Sequence, residues 1–300
     1  MKFRFVTLFV LLLNFNWAVF AQLNSSQIIF FNKQQDTLLK IARKMYKLKN
    51  DSLKLALNKE FTDKWEEVLN NELSMQFNFD SLRSDVGILR CDDERFRIIN
   101  WDIPLKGGTH QYFGFLQARH PKTKKYELYD LNDISENIKN PETHTGDNSK
   151  WFGMLYYQIV ICKDYYLLLG FDRQDKILNR KIIEPLSFKS DGSPVFGKGV
   201  FNNIPKKFPK RIVFEYSAEA RVNVSYYPEE KKIIFNHVGP PSGYLEDQTQ
   251  LYVPDGSYDC FEYKKGNWYY REDCDARNPK SRLDNAKPPK NKEKPVYVPK

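Results

Sequence analysis

Between residues 24 and 75, apolar side chains recur at three- and four-residue steps. Leu38, Ile41, Ala42, Met45 and Leu48 form one series; after Asn50-Asp51, Leu53, Ala56, Leu57, Phe61, Trp65, Val68 and Leu69 form a second. That spacing returns side chains to one face of a 3.6-residue helix, and it predicts two helices, with Asp36 as an N-cap for the first. An antiparallel helical hairpin satisfies the pattern, and so do two helices packed separately on the remainder of the chain. The stripes read as core contacts and not as a ligand box.

From about Val86 the period changes to two. Short aromatic and β-branched runs alternate with turn residues: Gly87 to Cys91, Phe96 to Trp101, Tyr112 to Ala118, Tyr126 to Leu131, Trp151 to Cys162 and Tyr165 to Phe171. Ile182 to Phe188, Pro194 to Phe196, Arg211 to Tyr216, Val222 to Tyr226, Lys232 to Val238, Tyr258 to Tyr263 and Trp268 to Tyr270 continue the series. Strands joined by short polar loops pair antiparallel. The expectation is an α+β protein: a helical segment at 22–85, then a predominantly antiparallel β-meander at 86–276. Propeller-like, barrel-like and sandwich forms stay open, since no repeat period distinguishes them. Asn132 to Lys150 and Pro240 to Asp255 read as loops, and the Pro- and Lys-rich residues 277–300 as an extended tail.

The first 21 residues have the three zones of a secretory signal. Lys2 and Arg4 precede the apolar run Phe5 to Leu13, and Val19-Phe20-Ala21 ends in a small residue before Gln22. The run is too short to span about 30 Å of hydrocarbon, and polar Asn14 and Asn16 interrupt it, which disfavours an uncleaved anchor. A periplasmic or extracellular protein without a transmembrane segment in its mature chain is expected.

Charge changes the picture only once it is located. The formal net charge is +9, of which Lys2 and Arg4 supply two and residues 277–300 six, leaving the body near +1. A nucleic-acid reader carries a basic face on its folded domain, so nucleic acid is not an expected partner. The basic tail offers contact with anionic surfaces. Cys91, Cys162, Cys260 and Cys274 form an even set, which an exported chain uses for disulfides. Cys260–Cys274 is the preferred pair, because it flanks a hairpin signal at Lys265-Gly266-Asn267. A Gly266–Trp268 loop sets the two cysteines face to face; a Lys264–Gly266 loop sets Cys260 opposite Tyr270 and requires a bulge.

Several stretches carry a family resemblance. They are Phe96-Arg97-Ile98-Ile99-Asn100-Trp101-Asp102, Gly108 to Gly114, Leu168-Leu169-Gly170-Phe171-Asp172, Pro194-Val195-Phe196-Gly197 and Arg211 to Ser217. Over about residues 86–270 the chain resembles an uncharacterised family of exported proteins from Bacteroidota. The resemblance implies an exported location. The family has no assigned activity, so no catalytic residue follows from it.

The chain contains no G-x-S-x-G elbow, no H-E-x-x-H and no Walker loop, and Gly197-Lys198-Gly199 is too short to cradle phosphates. No C-x-x-C pair occurs and His110, His120, His144 and His237 are scattered, so neither a metal nor another cofactor is expected. Asp172-Arg173-Gln174-Asp175 has only a faint calcium-loop character. Carboxylates at or near strand ends (Asp102, Asp172, Glu215 and Asp259, with Asp255 beside them) are the catalytic candidates, since a glycosidase needs two within about 5–10 Å. Adjacent tyrosines are the alternative clue. Neighbours on a strand point to opposite faces, so Tyr157, Tyr166, Tyr227 and Tyr270 are candidates for an outward aromatic surface. The resulting expectation is an extracytoplasmic binding or scaffold protein for a glycan or an envelope protein. A secreted hydrolase of glycans or peptides, using paired carboxylates, is the alternative.

Overall fold

A computed structural model describes residues 23–204, 208–241 and 245–276; the signal expected at 1–21 and the tail expected at 277–300 lie outside the described residues. Helix α1 (Ser25–Lys47) starts three turns before the expected cap. Asn24 accepts from the Gln27 backbone N–H while the Gln27 side chain accepts from the Asn24 N–H, a reciprocal capping box. Asp36 therefore lies inside the helix and caps nothing. Helix α2 (Asp51–Leu69) is capped by Asn50, which accepts from Leu53 N–H at 3.0 Å.

Among the described residues three sheets come next, none closed into a barrel. The first runs β1 (Gly87–Arg90), β2 (Phe96–Pro104), β3 (His110–Arg119), β4 (Tyr126–Asp130) in chain order. The second contains β5 (Leu155–Ile161), β6 (Tyr166–Asp172) and β7 (Leu178–Phe188), with β8 (Pro194–Phe196) on β7. The third holds the two-residue β9 (Phe201–Asn202), then β11 (Val224–Tyr227), β12 (Lys232–Gly239), β13 (Val253–Lys264) and β14 (Asn267–Arg271). Strand β10 (Ile212–Ser217) returns to the second sheet and forms its edge beside β7. All named pairings are antiparallel except β14 with β9. The meander is thus broken at each change of sheet, and the fold is α+β. Strand β13 begins at Val253, inside the stretch expected as a loop, because a register shift after Asn236 lets Val238 and Gly239 pair with Pro254 and Val253.

Alternation along the strands builds three cores. Ile99, Trp101 and Ile103 of β2 join Phe61 and Trp65 of α2, and Phe79, in the first. Phe96 and Ile98, on the opposite face, meet Leu168 of β6 and Trp151 in the second. Leu167 and Leu169 of β6 join Ile233, Phe261 and Trp268 in the third. The molecule is a stack of helices and three sheets, so the helical segment shares its core with the first sheet. Trp101 anchors that contact: its indole donates to Asn58 at 2.7 Å, and its ring meets Phe61 edge-on at 5.0 Å and stacks on Phe113. Arg97, fully buried, donates to the carbonyls of Ser74 and Phe77 and to Gln117, stitching the 74–79 connection to β2. Burial pulls its pKa down to about 9.

Cys260 and Cys274 form a disulfide. Neither expected hairpin loop is present. The turn is the two residues Lys265-Gly266, both at positive φ, between Lys264 and Asn267. This is the backbone of a tight turn that matches strand twist. Cys260 consequently pairs with Arg271, and Cys274 reaches it from beyond β14, its N–H donating to Tyr258 O at 2.7 Å. Replacing both cysteines by serine is expected to destabilise the protein by up to about 3 kcal/mol in the chain-entropy model for a loop of this length. Urea unfolding of the two proteins checks it; equal midpoints would refute it.

Candidate functional site

The site is a row of three residues lying side by side on adjacent strands. Asp172 ends β6, Arg180 sits opposite it on β7, and Glu215 lies opposite Arg180 on β10. Arg180 therefore stands between two carboxylates whose backbones are two strand spacings, about 10 Å, apart. Its guanidinium donates to Glu215 Oε1 from Nε at 2.9 Å and to Asp172 Oδ2 from Nη1 at 3.3 Å, and it also bonds Gln174. The second Glu215 oxygen accepts from Thr249 Oγ1 at 2.8 Å. Asp172 and Gln174 thus turn side-chain oxygens to Arg180, while Asp175 accepts from the Ile177 and Leu178 N–H groups. Among the described residues no group of three acids, cysteines or histidines is arranged to hold a metal.

This row lines a polar cavity of about 250 Å³ together with Thr109, His110, Tyr112, Glu136 and Lys139. His110 Nδ1 lies 2.5 Å from Asp102 Oδ2. In a neutral ring the carboxylate favours the tautomer with the proton on Nδ1. Tyr112 is buried; burial first, then Asp172 and Asp102, raise its phenol well above the ordinary range. Three of the four carboxylates singled out in the sequence thus converge here, Asp102 through His110. Asp259 does not: it accepts from Tyr270 OH at 2.7 Å and from Asp273 N–H, and holds the turn beside Cys274. Asp255 is likewise elsewhere, paired with His237 at 2.7 Å.

Burial pushes the Asp172 carboxyl up to about 6, against the opposing pull of Arg180. Its pKa is thus higher folded than unfolded. The stability this contributes is present at low pH and is lost as pH rises through about 6. Asp172→Asn removes that dependence, so the difference in melting temperature between variant and parent is expected to shift in the variant's favour from pH 4 to 7. Parallel melts across that range check it; a constant difference would refute it.

The loop 132–150 roofs the cavity, and two side-chain networks help fasten it. Asp133 accepts from Ser135 N–H and Oγ–H, from Gly153 N–H at 3.1 Å and from Tyr112 N–H. Gly153 is needed there because a Cβ would lie 2.3 Å from the Asp133 carboxyl carbon. The second fastening is a buried ion pair. Arg211 and Glu184 are both fully buried. Arg211 Nε donates to Glu184 Oε1 at 2.8 Å and its Nη1 to Pro141 O at 2.6 Å. Glu184 Oε2 accepts from Tyr156 OH, which accepts from Trp151 Nε1 at 2.8 Å.

The four candidate tyrosines are dispersed. Tyr157 is 37% exposed; its hydroxyl donates to Val224 O and Lys181 Nζ lies 4.3 Å from its ring. Tyr166 packs edge-on against Phe96 and donates to Asp93, Tyr270 leans on Phe261, and Tyr227 is half-buried on β11. Tyr166 and Tyr270 belong to different cores.

His110, Tyr112, Arg180 and Thr249 escaped the sequence reading. A register for the β6–β7 hairpin would have set Arg180 against Asp172, and one for β2–β3 would have brought His110 within a diagonal of Asp102. Thr249 arrives from a distant 3₁₀ turn and left no such signal. Among the described residues no helix is long and apolar enough to cross a membrane. No protein-family model matches this chain, and neither does any curated protein or solved structure.

Proposed function

We propose that this is an extracytoplasmic binding protein whose ligand places a small polar group in the Asp172–Arg180–Glu215 cavity. The carrying observation is the convergence of Asp172, Glu215, Arg180 and His110, the last backed by Asp102, on one polar space. Titratable groups with perturbed pKa in a cleft are where ligands are met. Keeping Asp172 desolvated costs stability above pH 6, and a ligand's hydrogen bonds offset that cost. The Cys260–Cys274 disulfide supports an oxidising compartment, in keeping with an export signal at 1–21 and with the resemblance to exported Bacteroidota proteins. Calorimetric titration with panels of oligosaccharides and peptides tests the reading. It expects at least one ligand to bind, with affinity reduced tenfold or more in Asp172→Asn and Arg180→Met. Undiminished binding in both folded variants would reject it.

One observation favours hydrolysis as a second reading. Asp172, with its raised pKa, suits a proton donor, and Glu215 lies across the same arginine from it. Two carboxyls flanking one polar space are what glycoside hydrolysis requires. Turnover of a glycan or peptide by the purified protein, lost in Asp172→Asn, would establish it; binding without turnover would exclude it.

A further inference from the structure

Strand β10 is the edge of the second sheet, and its pairing leaves a gap. On its outer side Arg211 N–H and Lys210 N–H donate to Glu142 O, and Ser217 N–H donates to Tyr252 O. Since outward groups alternate along a strand, Val213 and Glu215 also point outward with both N–H and C=O. None of these four groups has a partner among the described residues. They open onto a cavity of about 510 Å³ lined by Pro141, Phe214, Glu215, Val238, Thr249 and Tyr252. Pro141 and Glu215 also line the polar cavity, so the two spaces share a wall.

An exposed strand edge is a template for pairing with another chain, and proteins blunt it unless it is used. Among the described residues, the blunting of β10 is incomplete at its middle. The carbonyls of Glu142 and Tyr252 cover the two ends of β10, and the middle stays open beside apolar side chains. The open stretch, from Val213 to Glu215, spans about 7 Å. It therefore matches two or three residues of an added strand. Main-chain bonds give such a complex its affinity, and pockets for alternate side chains give it selectivity. A sugar chain has no repeating amide to meet two donors and two acceptors at this spacing.

We infer that the free edge of β10 takes up an extended peptide segment of a partner protein as an added strand. This names the class of the ligand whose polar group enters the adjoining cavity, and in that respect it rests on the reading given above. Glu215 serves both sites, its backbone facing the added strand and its carboxylate facing Arg180.

The test is panning of a phage-displayed random heptapeptide library on the chain from residue 22 to 300, followed by titration with synthetic copies of enriched peptides. Peptide binding is expected to slow exchange of the Val213 and Glu215 amide protons at least tenfold. Methylating the peptide amides one at a time is expected to abolish binding at alternate positions, the signature of strand addition. Val213→Pro removes an outward N–H without touching the β7 pairing, an edge position that tolerates proline, and is expected to weaken binding at least tenfold. The methylation scan reads the same bonds from the ligand side if that variant does not fold. No enriched peptide, unprotected amides, or a methylation scan without period two would overturn the inference. Peptides that lose affinity in Asp172→Asn but not in Val213→Pro, with exchange at the edge unchanged, would leave the polar cavity standing and reject the edge. The reverse pattern would keep the edge and reject the cavity.

Discussion

Glu184→Ala is expected to destabilise the protein by about 3–5 kcal/mol, because it leaves the Arg211 guanidinium buried without its counter-charge. At roughly 2–4 °C per kcal/mol for a domain of this size, melting falls by about 6–20 °C. The loss is larger than one hydrogen bond because the carboxylate serves two partners. Arg211 donates to one oxygen and Tyr156 to the other, and the tyrosine in turn receives Trp151. Replacing both charges, as Glu184→Leu with Arg211→Met, is expected to recover part of the loss, since a well-packed apolar pair is often no worse than a buried ion pair. The double variant still lacks the bond from Arg211 to Pro141 O, so the loop over the polar cavity should exchange its amides faster even where stability recovers. Urea denaturation with amide exchange separates the effects. A single variant within about 1 kcal/mol of the parent would show that Arg211 had found water or another partner.

Trp101→Ala is the second large effect, expected at about 3–5 kcal/mol. It empties the space against Phe61 and Phe113 and strands the Asn58 amide, which the indole N–H now satisfies. Because α2 and β2 fill one core, the helices and the sheet are expected to unfold in one transition, with the helical circular dichroism and tryptophan fluorescence losing signal together. Two separated transitions would mean that the helices are an independent unit.

Much of this architecture was legible in the residue pattern, for identifiable reasons. The helical stripe from Leu38 to Leu69 and the two-residue alternation after Val86 are local, so they locate elements without knowledge of partners. Caps were less legible: Asn24 with Gln27 outcompeted Asp36 because the reciprocal pair satisfies two orphan N–H groups. The hairpin was located near Lys265-Gly266, but neither expected register holds: Cys260 pairs with Arg271, not with Tyr270 or Cys274, since Lys265 adopts a positive φ that its side chain does not advertise. The return of β10 to the second sheet, past the short β8 and β9, is set by long-range packing and had no local signal. The polar cavity inherits that difficulty. Asp172 and Glu215 stood out as acids near strand ends, but the arginine joining them becomes visible only once β6, β7 and β10 lie side by side.

The stacked arrangement also bears on how this chain can change over generations. In β2 and β6 successive residues feed two different cores: Ile98 faces one side and Ile99 the other, Leu168 one side and Leu167 the other. Inserting or deleting one residue in either strand exchanges the faces of every residue beyond it. In a sheet with one wet face that error exposes one core; here it scrambles two. Length variation in descendants should therefore collect in segments such as 120–125 and 228–231, which join neighbouring strands at their ends, while substitutions in β2 and β6 keep their spacing.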